Sequence, residues 1–213
     1  MIDQRHRAGG NLTDRRIDFE LIADMIDAGS RVLEIGCSKG ELLELIVKRR
    51  KGDVHGLELS QAGVNDCVAR GLAVVQGDAD TDLHYYPDNG FDTVILSQTL
   101  QATQRPLDVL CEMARIGKQL IVSIPNFGHW RLRAELAFNG RMPETNLLSA
   151  HWYNTANIHL CTLTDFVELC PKANLKVEKT ITLRGNRPRQ IKGAPNSWHN
   201  LTAELAVFVL VRG

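Results

Sequence analysis

Two glycines and three acidic residues, set at the ends of short apolar runs, carry most of the chemistry this chain can do. In RVLEIGCSKG, residues 31–40, Glu34 precedes a turn opened by Gly36 and closed by Gly40, with Cys37, Ser38 and Lys39 between them. Val32, Leu33 and Ile35 predict a buried strand, and the ELLELI that follows Gly40 takes up helical spacing. Strand, glycine turn and helix, in that order, aim backbone N–H groups and the positive end of a helix at a ligand. Glu58 closes the next apolar run, DVHGLEL, eighteen residues past Gly40, where a carboxylate accepts hydrogen bonds from ribose hydroxyls. Asp78 follows a third run, LAVVQ, in position to meet an adenine amino group, and Glu34 is placed to hold a cationic group. With their neighbours Leu59 and Ala79, and with Ser97 and Gln98 after a fourth run, these residues form the expected ligand set.

The turn excludes two common nucleotide sites. A dinucleotide fingerprint starting at Gly36 needs glycines at positions 38 and 41, which hold Ser38 and Glu41, and no Gly-Lys-Ser/Thr ends the turn as a phosphate-binding P-loop requires. The loop Glu34-x-Gly36-x-x-x-Gly40 suits a nucleoside cofactor without a pyrophosphate. The blander reading is that glycines after a strand form only a packing turn; three acidic strand ends in order weigh against it.

The elements that must position these residues alternate along the chain. Helical spacing covers Ile17–Ile26, Glu41–Lys51, Gln61–Arg70 and Pro106–Ile116, with Pro106 tolerated in a first turn. Strand patterns fall at Asp53–Leu59, Leu72–Gln76, Phe91–Leu96 and Lys118–Ile124. Five strands alternating with helices predict a doubly wound, mostly parallel α/β sheet with right-handed crossovers. The tail adds a helix at Leu163–Leu169 and strands at Leu175–Leu183 and Glu204–Val211 with no helix between them, so a seven-stranded sheet with an antiparallel C-terminal edge hairpin is expected. Residues 1–213 are expected to form one domain, with 1–16 as a loose arm, 125–160 as an insertion after the fifth strand, and the basic stretch 184–200 as a solvated linker.

Bulk composition narrows the classes. The 213 residues carry 25 Lys+Arg and 25 Asp+Glu, so nothing in the balance asks for nucleic acid or an anionic membrane. No apolar run has the length of a membrane span, and the polar N-terminal residues lack a secretory core. Five scattered cysteines without a Cys-x-x-Cys suit free thiols in the cytoplasm. His159 and Cys161 lack a third partner at metal spacing, so no metal site is expected. The insertion gathers Trp130, Trp152, Tyr153, His129, His151 and His159 with Arg131, Arg133 and Arg141, a candidate lid or partner surface whose bland alternative is a small packing subdomain. Asn126, His129, Trp130, Tyr153 and His159 are its candidate substrate or partner residues.

Glu34-Ile-Gly36-Cys-Ser38-Lys-Gly40, Glu58 and Asp78 together resemble the three motifs of class I S-adenosylmethionine-dependent methyltransferases. The chain departs from that pattern at the middle glycine, which is Ser38, and at Lys39. SQTLQA at 97–102, PNFGHWRLR at 125–133, GRMP at 140–143 and WYNTANIHLCTLTDF at 152–166 narrow the resemblance to the MetW family of methionine biosynthesis proteins. The resemblance implies a methyltransferase-like fold and S-adenosylmethionine or S-adenosylhomocysteine as cofactor. It also implies partnership with homoserine O-acyltransferase, of acetyl or succinyl type, in an accessory or regulatory role. The alternative is an active methyltransferase on a small-molecule acceptor positioned by Gln98, Asn126, His129 or Tyr153. Methylation of RNA is disfavoured, since the fourth strand ends in Ser97-Gln98-Thr99 and not in an Asn/Asp-Pro-Pro-Tyr motif.

Overall fold

The computed structural model describes residues 16–143 and 151–213. Most of the loose arm expected at 1–16 lies outside them. Arg16 is described, and it is held: its guanidinium pairs with Asp18 at 2.6 Å and lies 3.9 Å over the Phe19 ring.

One eight-stranded sheet organises the chain: β1 (Arg31–Ile35), β2 (Asp53–Glu58), β3 (Ala73–Gln76), β4 (Phe91–Ser97), β5 (Gly117–Pro125), β6 (Leu175–Arg184), β7 (Arg187–Lys192) and β8 (Leu205–Arg212), in the spatial order β3-β2-β1-β4-β5-β8-β6-β7. The first five pair in parallel and the last three antiparallel. The chain runs outward from β1 through β2 to β3, then crosses to β4 on the other flank of β1. That reversal opens a crevice beyond the carboxyl ends of β1 and β4, where open α/β sheets hold ligands.

Alternation along β1 divides the core. Leu33 and Ile35 pack with Val109, Leu110 and Met113 of α4 (Pro106–Ile116) and with Phe166 of α6 (Leu163–Leu169). Val32 packs with Ile22 and Ile26, in and just after α1 (Ile17–Asp24), and with Leu42, Leu43 and Ile46 of α2 (Glu41–Arg50). Glu34 lies two residues from Val32 and shares that second face, under α1. The basic end of α2 serves as a tie rather than only a solvated terminus: Arg50 donates to the carbonyls of Ala23 and Asp24.

The tail corrects two expectations. The sheet has eight strands rather than seven, and the stretch 184–200 is not a linker: it forms β7 and then α7 (Ser197–Thr202), capped by Asn196 and His199. The edge hairpin is therefore β6–β7, while β8 is inserted between β5 and β6. RPRQIK gives no strand signal because nearly all of β7 is exposed, so its pairing with β6 is the chief force that orders it. Within the insertion, α5 (Trp130–Asn139) follows directly from the end of β5, and α3 (Gln61–Ala69) completes the helices. No helix among the described residues is long and apolar enough to cross a membrane.

Candidate functional site

The glycine turn between β1 and α2 is shaped by close approach. Gly36 sits at φ +74°, and a Cβ there would lie 2.6 Å from the Thr99 side chain; Gly40, at φ +75°, would meet Leu72 at 2.5 Å. Ser38 occupies the left-handed region at φ +49° without being glycine, and so does Gln98 after β4 at φ +51°. Both conformations cost about 1–3 kcal/mol and persist only where surroundings impose them. Here the surroundings are identifiable. The Ser38 N–H donates to Glu58 Oε2 at 2.8 Å, and the Gln98 N–H donates to Ser123 O at 3.0 Å.

Glu58 thus has a structural task besides the one its position suggests. Its other oxygen accepts from the Ser60 N–H at 2.9 Å, so the carboxylate bridges the glycine turn and the start of α3. Each carboxylate oxygen accepts about two hydrogen bonds, which leaves capacity for two hydroxyl donors. Asp78 Oδ1 accepts from the Asp80 N–H at 2.9 Å, and Asp80 in turn accepts from the N–H groups of Gln104 and Arg105, each at 2.8 Å. The end of β3 is therefore fastened to the segment after β4.

Between these fastenings lies a cavity of about 310 Å³, walled by Gly36, Glu58, Leu59, Asp78, Ala79 and Gln98, with Thr99, Gln104, Ala156 and Asn157 on its remaining sides. Its size falls at the lower end of small-molecule sites, about 300–1,000 Å³. Leu59, an apolar side chain on the cavity wall, is 66% exposed. Glu34 lies just below the wall formed by Ile35 and Gly36. It is 2% exposed, its Oε2 has no hydrogen-bond partner among the described residues, and burial pushes its carboxyl up to about 8. Arg16 opposes that rise, and Glu58 and Asp18 add to it. Asp18 also accepts from Gln98 Nε2 at 2.8 Å, so α1 reaches over the crevice to the cavity rim.

The structure thus brings together Gly36, Glu58, Leu59, Asp78, Ala79 and Gln98. It places the other expected ligand residues differently. The Cys37 side chain is in the core, 3.9 Å from Cys67 Sγ, and burial raises its thiol. Gly40 packs on α3, Ser38 contributes its backbone to Glu58, and the Ser97 hydroxyl faces Ser123 at 3.3 Å.

The insertion's candidates do not converge on the cavity. Asn126 Nδ2 donates to the carbonyls of Asn200 and Ala203 at 2.6 and 2.7 Å, and its Oδ1 accepts from Gly128 and Leu163. It is a clamp among backbone groups. His129 is the N-cap of α5 and accepts from the Arg131 N–H at 3.3 Å; burial lowers its pKa. Trp130 and Tyr153 are exposed, Tyr153 stacking on His151. His159 reaches the Gln104 carbonyl at 3.4 Å and lines a separate groove between α4 and α6. The returning part of the insertion does reach the cavity, through Ala156 and Asn157, while the N–H groups of Ile158 and His159 both donate to Gln101 O at 2.9 Å. Ala156 and Asn157 fall in the 152–166 motif and Thr99 in the 97–102 motif without being singled out as ligand residues, while Asp80, Asp18 and Arg16 carry no sequence pattern and take their parts from distant contacts. All five cysteines are free, and no cluster of metal-ligating side chains occurs among the described residues.

Sheet order, glycine turn and cavity define a class I methyltransferase-like fold, and solved structures agree. An S-adenosylmethionine-dependent methyltransferase from Thermotoga maritima superposes with a TM-score of 0.67 at 19% identity, over 92% of this chain and 88% of its own. Another from Mesorhizobium loti gives 0.67 at 13% identity, over 93% and 99%. The family model described as "Methionine biosynthesis protein MetW" matches residues 16–210, and the chain belongs to that family. A bifunctional methionine biosynthesis protein MetXA/MetW from Rhodopirellula baltica is 32% identical over 205 residues. That match covers 92% of this chain, which spans about a third (33%) of the length of that relative.

Proposed function

We propose that this MetW-family chain binds S-adenosylmethionine or S-adenosylhomocysteine in the cavity between β1 and β4 and acts as an accessory or regulatory partner of homoserine O-acyltransferase. The observation that carries the cofactor reading is Glu58. It is held by two backbone N–H groups at the cavity wall, with acceptor capacity left for the two ribose hydroxyls. Asp78 and Ala79 would meet the adenine edge, Leu59 would cover its face, and Glu34, buried with one oxygen unpaired among the described residues, would answer the cationic methionine end. The cofactor itself would supply an activated methyl group. This chain's residues bind and orient it.

The accessory reading is favoured over methylation of a small acceptor by the position of the acceptor candidates. Of Gln98, Asn126, His129 and Tyr153, only Gln98 lines the cavity. The partner reading draws on the MetXA/MetW relative, which carries both names in one polypeptide. Any linkage between cofactor and partner binding would be reciprocal, each changing the affinity for the other by the same factor. Titration of purified homoserine O-acyltransferase with this chain, with and without S-adenosylmethionine, tests the reading. The expected result is a complex whose affinity changes with cofactor; absence of any complex under both conditions sinks it.

A further inference from the structure

Helix α5 exposes more apolar side chain than a helix on a protein surface ordinarily does, Leu136 at 44% included. Its one fully buried residue is Leu132. At 100° per residue, Trp130, Ala134, Ala137 and Phe138 fall on the side away from Leu132, flanked by Arg131 and Arg133. Surface helices ordinarily turn a polar face to water. Here Phe138 is 88% exposed and Trp130 49%, and Met142 stands exposed just past the helix. Arg131 lies 5.5 Å over the Trp130 ring, which leaves a guanidinium at the margin of the apolar stripe. An aromatic stripe rimmed by arginines has the composition of an interface centre, where aromatic residues and Arg are enriched.

We propose that this outward face of α5 is the docking surface for the acyltransferase, an inference that rests on the partnership proposed above and assigns its location. The choice of occupant comes from the Rhodopirellula baltica relative. There the MetXA and MetW portions share a polypeptide, and covalent linkage supplies the high effective concentration that separate chains must obtain from a contact surface. The family match runs through α5. Arg131, Arg133 and the exposed Arg141 specify the complementary face: an apolar patch with an acidic margin, so the association weakens as salt rises. A second copy of this chain, or an anionic membrane surface, would also cover an apolar basic helix, and the test separates them.

The experiment is calorimetric titration of the purified acyltransferase with the full-length chain, its W130D/F138D double variant, and Y85D. Tyr85 is an exposed aromatic far along the chain from α5, and Y85D controls for loss of any surface ring. All substituted side chains are exposed, and matched thermal melts establish that the variants fold. The expected result is binding weakened by about tenfold or more in the double variant and changed by less than about twofold in Y85D. Wild-type binding with an undiminished double variant overturns the docking surface while leaving the partnership intact. No binding by the wild type removes the partnership itself and the surface with it. Self-association, or retention on anionic vesicles, that disappears in W130D/F138D while acyltransferase binding persists assigns the face to those occupants and overturns the proposal.

Discussion

At the end of β1, Glu34 is 2% exposed and one of its oxygens has no partner among the described residues; just past the end of β5, Asn126 is equally buried and has both side-chain polar atoms engaged by backbone groups. The two residues sit at the same edge of one sheet. Asn126 closes the structure there, joining β5 to α6 and α7. Glu34 leaves it open. A buried polar atom without a partner costs about 1–3 kcal/mol, more for a charge, so its persistence marks a place where the fold has something other than its own stability to serve. The same contrast extends to the backbone around each: strained Ser38 and Gln98 lie on the Glu34 side, both turned toward the cavity region by specific hydrogen bonds.

That contrast makes opposite predictions for opposite residues. Asn126→Ala leaves the carbonyls of Asn200 and Ala203 and the N–H groups of Gly128 and Leu163 without their partner. Stability should fall by about 3–4 kcal/mol, read as a lowered denaturation midpoint, with ligand affinity of the folded fraction unchanged. A loss of affinity matching the loss of stability would erase the distinction between the two strand ends.

Glu34→Gln should do the reverse. With the folded carboxyl at about 8 and the ordinary glutamate value at 4.5, both states hold the proton below pH 4.5, and only the folded state holds it between those values. Stability therefore falls as pH rises across that window, and the loss is complete above pH 8. The glutamine variant lacks this slope and should be more stable than wild type at pH 8 by about 2 kcal/mol. It should bind S-adenosylmethionine about tenfold more weakly. Denaturant melts at several pH values and a titration check both halves. Gly36→Ala forces a side chain against Thr99 at a left-handed position, and should cost about 2 kcal/mol together with some ligand affinity, since the strain falls on the cavity wall.

Legibility in the sequence followed the same division. The parallel half was readable because β1, β2, β4 and β5 are apolar runs bounded by glycine or proline, and α4 and α6 match the spans that periodicity predicts. Glu58 and Asp78 were readable because they end strands. What Glu58 does to Ser38 was not: a bond across twenty residues leaves no periodic trace. Elements stabilised by pairing or caps rather than by a buried face were missed. β7 lies exposed at the sheet edge, α7 is a short helix fixed by Asn196 and His199, and α5 buries only Leu132, so its apolar residues do not report a core. The acceptor roles expected of Asn126, His129 and Tyr153 rested on their place in the insertion after β5; Asn126 and His129 are engaged with backbone groups and Tyr153 stacks on His151, away from the cavity lining.

In the function proposed above, Glu58 and its neighbours hold S-adenosylmethionine. Calorimetric titration of the wild type and of Glu58→Gln, at pH 7 and with folding checked by thermal melts, tests it most directly. Saturable one-site binding by the wild type, weakened about tenfold or more in the variant through loss of charged acceptors for the ribose hydroxyls, is the predicted result. No heat from the wild type, or equal affinity in both proteins, would contradict it.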